Sequence, residues 1–170
     1  ARLARESAIP VVTVATDAAD AGGAGGAGGA APDWRIETDD AGRGEFRLVG
    51  SGASASDSTF GQLRLLSALP GAHNRANTAF AALVLLELGF PRPDVERALR
   101  SDPRVPGRME RVVLPAAADG ASAPMVYVDF AHTPEAVRAT LAALRPTTSG
   151  RIIAVIGAGG HRDAGKRPLM

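Results

Sequence analysis

The chain has 170 residues, enough for one domain or for parts of two. Its net charge of +1 gives no electrostatic reason to expect nucleic acid or a membrane surface, and at 4% aromatic residues it has few platforms for stacking bases. The absence of cysteine excludes disulfides, thiolate metal sites and a cysteine nucleophile from this chain and fits a cytoplasmic protein, while no apolar run approaches the ~18 residues that suggest a transmembrane helix.

Residues 9–15 read as a short strand. Residues 17–33, Asp-Ala-Ala-Asp followed by Gly-Gly-Ala repeats, bury too little apolar area to offset the entropy of ordering them, so a flexible loop is expected. Residues 34–37 and 44–49 read as antiparallel strands with a turn near Asp40-Ala41-Gly42. A Ser/Gly/Ala-rich exposed turn follows over 50–60, and residues 60–68 alternate apolar and polar as a strand does, with Leu63 and Leu65 on one face.

The pattern then becomes helical. Residues 74–88 are dense in Ala and Leu and stop at Gly89. Pro93 opens a second helix with Val95, Ala98 and Leu99 on one face, ending near Asp102-Pro103. After a loop at Pro106-Gly107, residues 111–114 and 125–129 read as strands separated by a small-residue turn over 116–124. Thr133-Pro134 start a helix over 135–144, with proline in the first turn and Glu135 favoured by the helix dipole. A turn at 146–150 leads to residues 151–156, expected to be a buried strand. The second half thus reads β-β-α-β, the opening of a parallel α/β sheet, with a domain boundary near Pro106-Gly107.

Four clusters carry chemistry, and all three histidines fall inside them. In Gly71-Ala72-His73-Asn74-Arg75-Ala76-Asn77-Thr78, the two asparagines are three apart and share one face of a helix start. Asn74 either caps that helix or, with Asn77, meets a ligand. In Pro106-Gly107-Arg108-Met109-Glu110, the Arg108 fork suits phosphate or ribose oxygens, with a surface salt bridge to Glu110 as the alternative. In Val128-Asp129-Phe130-Ala131-His132-Thr133-Pro134, an aspartate at the carboxyl end of a strand sits where α/β folds bind ligands, although such an aspartate is often only a cap. Last, Gly157-Ala158-Gly159-Gly160-His161-Arg162-Asp163 runs on to Lys166-Arg167-Pro168, a glycine-rich turn loaded with cations, as α/β proteins use to hold phosphate or carboxylate.

Taken in order, GAHNRANTAFAAL, PGRMERV, VYVDFAHTPEAV and GAGGHRDAGKRPLM resemble the Mur ligases, most closely those that add the third amino acid to UDP-N-acetylmuramoyl-L-alanyl-D-glutamate. The resemblance covers about residues 69–170; residues 1–68 fit by position, as the variable β-rich part of the ATPase domain. It implies an α/β fold in two parts. Residues 1–106 would be the end of a central ATP-binding domain, and 107–170 the opening of a Rossmann-like C-terminal domain. It further implies that His73, Asn74 and Asn77 line the adenine side of an ATP pocket. Arg108 and Asp129 would contact the ribose and phosphate region, and His132 would be the catalytic group on the phosphate side. Arg162 would meet the carboxylate of an incoming diamino acid, with Lys166 beside it on the substrate side and Arg167 supporting the loop.

Two positions depart from the family pattern. Phe130 stands where tyrosine is usual, and His161 where the loop usually has aspartate. The chain reads as a piece of a longer protein, inactive alone. Its P-loop, magnesium ligands and UDP-binding domain are expected before Ala1, and the Asp-Asn-Pro-Arg motif that selects the amino acid after Met170. No residue of this chain is expected to bind metal. The implied reaction is ATP- and Mg2+-dependent amide ligation through an acyl phosphate in peptidoglycan synthesis. It would act as a monomer on UDP-MurNAc-dipeptide, an amino acid and ATP, with no nucleic acid or membrane partner. In the family, ATP lies where the central and C-terminal domains meet, so domain closure would assemble the pocket. The alternatives are a cyanophycin-synthetase-like ligase with another acceptor and a non-catalytic nucleotide-binding module. A Rossmann dehydrogenase is disfavoured, because the glycine loop lacks Gly-x-Gly-x-x-Gly.

Overall fold

A computed structural model describes residues 12–16, 32–38, 44–50, 61–115, 123–158 and 164–170. The strand start at 9–11, the loop over 17–31, the turns near 40–42, 51–60 and 116–122, and the segment 159–163 with His161 and Arg162 lie outside the described residues. The chain divides into two units, one of residues up to Ala68 with Ala72–Ser101, the other of Leu69–Gly71 with Asp102–Met170.

The first unit is built on a four-stranded sheet in the order β1 (Val14–Ala15), β2 (Trp34–Glu37), β3 (Glu45–Gly50) and β4 (Gln62–Leu66). The β2–β3 and β3–β4 pairs are antiparallel, and β1 runs parallel to β2. Strand β1 has only two residues, and side chains reinforce its pairing. The Thr13 amide and hydroxyl both donate to Asp33 Oδ2 at 2.8 Å, and the Asp33 amide donates to Thr13 Oγ1 at 3.0 Å.

Register follows the alternation. Phe46 lies opposite Leu65, and Leu48 opposite Leu63, so buried side chains meet buried side chains across the β3–β4 ladder. A one-residue slip would turn all four towards solvent. Gly44 leads into β3 with φ +73°, and a Cβ there would fall 2.3 Å from the Ser67 carbonyl oxygen, so the close approach that lets the Ser67 amide donate to Gly44 O excludes any side chain.

Helix α1 (Ala72–Glu87) lays Ala79, Ala82 and Leu83 on this sheet, and α2 (Arg92–Ala98) adds Val95. Alanines let the helix backbone approach Leu48 and Leu63, both fully buried. Helix α1 ends as its sequence predicts. Gly89 has φ +84°, its amide donates to Leu86 O at 2.9 Å, and the Phe90 amide donates to Leu85 O at 3.1 Å. This is a Schellman closure, and glycine takes the left-handed position without cost.

The second unit contains a two-stranded antiparallel sheet, β5 (Glu110–Val112) and β6 (Val126–Val128), followed by α3 (Pro134–Leu144). The parallel pair expected from the sequence is a different one, β6 with residues 151–156 across the helical crossover of α3, and it does not form because 151–156 are not a strand. Helix α3 begins as predicted: Thr133 is extended, its hydroxyl accepts the Ala136 amide at 3.2 Å, and Pro134 follows. At its other end the Arg145 guanidinium donates to the carbonyls of Thr148 and Gly150, closing the turn.

Residues 151–156 are not a strand, against the sequence expectation. A strand exists only through a ladder partner, and no described strand pairs with this run; Val155 is 97% exposed and Ile153 79%. Residues Ala164–Leu169, expected as loop, form a 3-10 turn. Among the described residues no helix is long and apolar enough to cross a membrane.

Candidate functional site

The asparagine cluster sits in the first turns of α1. The helix starts at Ala72, two residues before the predicted start, so Asn74 lies inside it and is not its cap. The Asn74 carbonyl accepts the Thr78 hydroxyl at 2.9 Å. At 100° per residue, His73, Asn74 and Asn77 fall on the side of the helix away from Ala79, Ala82 and Leu83. His73 and Asn77 are accordingly exposed and Asn74 half-buried.

The second unit gathers Arg108, Asp129 and His132 around the end of β6. Asp129 Oδ2 accepts the Met109 amide at 2.9 Å, and Oδ1 accepts the Ala131 amide at 2.9 Å and the Thr140 hydroxyl at 3.2 Å. The Phe130 amide donates to Gly107 O at 2.7 Å, and Glu110 Oε2 accepts the Gly107 amide at 2.8 Å. The Pro106–Glu110 loop is thus clasped to the end of β6 by hydrogen bonds. Met109 has φ +48° and is the one buried side chain among the described residues of this unit.

Arg108 does not pair with Glu110. Its guanidinium carbon stands 5.8 Å from the centre of the Phe130 ring, within cation–π range. His132 also stands beside that ring, with ring centres 5.1 Å apart and planes at 58°. His132 Nδ1 lies 2.9 Å from Phe130 O. A carbonyl can only accept, so Nδ1 carries the hydrogen, and in the neutral ring Nε2 is left as an acceptor. The result is an exposed row of guanidinium, phenyl and imidazole beside a half-buried carboxylate. Chemically it offers a cation for phosphate oxygens, an acceptor for a hydroxyl and a ring nitrogen that can take up a proton.

Lys166 lies elsewhere in this unit. It lines an open cavity of about 430 Å³ with Thr133, Pro134, Glu135, Gly165 and Leu169. Arg162, its expected companion, lies outside the described residues. Motif reading places Thr133 and Pro134 in the Asp129 cluster and Met109 in the Arg108 cluster without giving any of them a role at a site, and marks Glu135 only as part of a helix start. No motif spacing could have flagged Thr140, since it meets Asp129 only through the tertiary fold, 11 residues further along the chain. The described residues contain no cluster of three or more His, Asp or Glu side chains suited to a metal ion.

Residues 107–170, which contain this whole arrangement, match the family model described as Mur ligase, glutamate ligase domain. That stretch belongs to the Mur ligase family. Beyond it, the chain is 43% identical over 127 residues to a UDP-N-acetylmuramoyl-L-alanyl-D-glutamate--2,6-diaminopimelate ligase from Synechococcus, covering 74% of this chain and 25% of that protein. It is 35% identical over 175 positions to a UDP-N-acetylmuramyl-tripeptide synthetase from Leifsonia xyli, covering 99% of this chain and 30% of that protein. Among solved structures, a UDP-N-acetylmuramate-alanine ligase from Thermotoga maritima superposes with a TM-score of 0.50 at 22% identity, over 67% of this chain and 24% of that one, which supports the Mur-type α/β fold. The chain therefore spans a quarter to under a third of these curated relatives.

Proposed function

We propose that the protein carrying this Mur ligase segment is an ATP-dependent ligase of peptidoglycan synthesis, acting in the cytoplasm on small-molecule substrates. It would join an amino acid, with a diamino acid favoured, to UDP-N-acetylmuramoyl-L-alanyl-D-glutamate. The observation that carries the reading is the Arg108–Phe130–His132 row braced by Asp129 inside the stretch that matches the ligase domain. The name of the Synechococcus relative favours 2,6-diaminopimelate as the amino acid. Residues 1–106 would complete a central ATP-binding domain and 107–170 would open the C-terminal ligase domain.

The residues fit a nucleotide. Of about four acceptor directions on an ionised carboxylate, Asp129 has three filled, which leaves Oδ2 one for a ligand hydroxyl. The exposed Arg108 fork suits phosphate oxygens. In the first unit His73, Asn74 and Asn77 offer imidazole and amide groups that suit the donor and acceptor edge of adenine. ATP supplies the phosphoryl group that makes the dipeptide carboxylate reactive, and the amine of the amino acid then displaces phosphate to form the amide. His132 would hold or move a proton at Nε2, because Nδ1–H is committed to Phe130 O. Lys166, in the wall of the cavity at the start of α3, would lend positive charge to a substrate carboxylate. Magnesium, which would neutralise charge on the ATP phosphates, is expected to be held by other residues of the full-length protein.

The test uses the full-length protein with UDP-N-acetylmuramoyl-L-alanyl-D-glutamate, ATP and either 2,6-diaminopimelate or lysine. Phosphate release that depends on both the dipeptide and one amino acid is expected. No turnover with any amino acid would sink the reading. An Asp129→Ala protein with an unchanged KM for ATP would remove Asp129 from the nucleotide site.

A further inference from the structure

Asp129 is held by more donors than its own motif supplies. The Ala131 amide is local, two residues on, and belongs to the turn itself. The Met109 amide comes from the preceding loop and the Thr140 hydroxyl from the second turn of α3. Thr140 could instead bond back to a carbonyl one turn earlier in its own helix, the usual habit of a helical threonine. Here it reaches across to Asp129 Oδ1.

Two donors fill Oδ1, so rotation of the carboxylate is fixed and Oδ2 is directed at the Met109 amide. Met109 sits in the left-handed region, which is costly for a residue with a Cβ and persists only where its surroundings impose it. Its bond to Asp129 is one such constraint, and Arg108 is the next residue along.

We propose that Thr140 is a positioning residue for the nucleotide site. By filling Oδ1 of Asp129, it keeps Oδ2 on the Met109 amide, holds Arg108 above Phe130 and leaves the last acceptor direction of Oδ2 for one sugar hydroxyl. The ligand half of this inference rests on the functional reading above; the positioning half does not.

The test compares Thr140→Val, Thr140→Ala and Thr140→Ser in the full-length protein, with ATP itself as the probe. Two quantities are read: ATP affinity, and hydrogen exchange at the Met109 amide. Loss of the hydroxyl in the Val or Ala variant should weaken ATP binding about tenfold, in line with one hydrogen bond to a charged acceptor. It should also raise KM for ATP with kcat little changed and speed exchange at Met109. Thr140→Ser should restore both quantities. Ala keeps a strong helix former at this position, so it serves if Val disturbs α3. Unchanged Met109 exchange in a folded Val or Ala variant overturns the proposal, and so does faster exchange with unchanged ATP affinity, or a folded Ser variant that behaves like Val. If the unaltered protein binds no ATP, the functional reading fails on its own, while Met109 exchange still decides whether Thr140 positions the clasp.

Discussion

The two units are held together by different physics. In the first, Trp34, Phe46, Leu48, Leu63 and Leu65 from three strands close against Ala79, Ala82 and Leu83 of α1 and Val95 of α2. In the second, Met109 is the one buried side chain among the described residues, and α3 buries none. What organises that unit is a set of hydrogen bonds converging on Asp129, with Phe130 left 65% exposed beside it. Apolar burial is non-directional and tolerant, so it suits a scaffold. A carboxylate that accepts from the Met109 and Ala131 amides and the Thr140 hydroxyl is directional, so it fixes the positions of neighbouring side chains at little cost in apolar surface. The contrast separates a region that supplies stability from one that supplies geometry.

The largest effect should come from the scaffold. Leu63→Ala or Leu48→Ala opens a cavity at a fully buried site and should cost about 3 kcal/mol, read as a fall in the urea midpoint of the first unit's transition. A loss under about 1 kcal/mol would mean that the core relaxes around the gap and that its packing is looser than described. Next is Gly44→Ala, which combines φ +73° with a Cβ 2.3 Å from Ser67 O; about 2 kcal/mol is expected, and a near-neutral result would show that the β3 entry can shift.

The clasp should respond differently. Asp129→Asn replaces one acceptor oxygen by an amide donor, so either the Met109 amide or the pair at Oδ1 loses its partner. A cost of about 1–2 kcal/mol is expected, with amide exchange sped at Met109 and Ala131 and core amides such as Leu48 unaffected. Uniform loosening of both units would erase the distinction between them. Thr133→Ala should cost about 1 kcal/mol through loss of the α3 cap, measured as a small drop in thermal midpoint. Smallest of all, breaking the partly exposed Arg92–Glu96 pair on α2, 2.8 Å apart, should change stability by under about 0.5 kcal/mol.

Legibility in the sequence follows the same division. Strand and helix positions in the first unit were readable because alternation on β4 and Ala/Leu density on α1 report burial directly, and because Gly89 marks a left-handed stop. The parallel pairing of β1 with β2 was not readable, since it depends on the Thr13–Asp33 bonds across 20 residues. In the second unit the apolar run 151–156 misled, because composition records a capacity for burial and a strand also needs a partner edge. The residues Arg108, Asp129 and His132 stood out by type and by motif, yet the distances among them did not follow from either.

What the sequence determined by itself was the family of residues 107–170, the helix signals at Gly89 and Thr133-Pro134, and the short list of groups able to do chemistry. These are local or textual properties, set by backbone preferences within a few residues and by motifs that can be matched directly. Tertiary structure alone decided that Asp129 serves as the anchor of a clasp, that Arg108 turns to Phe130 and away from Glu110, and that Thr140 joins the site. Each of these depends on hydrogen bonds or ring contacts between residues 11 to 22 positions apart in the chain, and only folding of the intervening backbone brings such groups within 3 to 6 Å of one another.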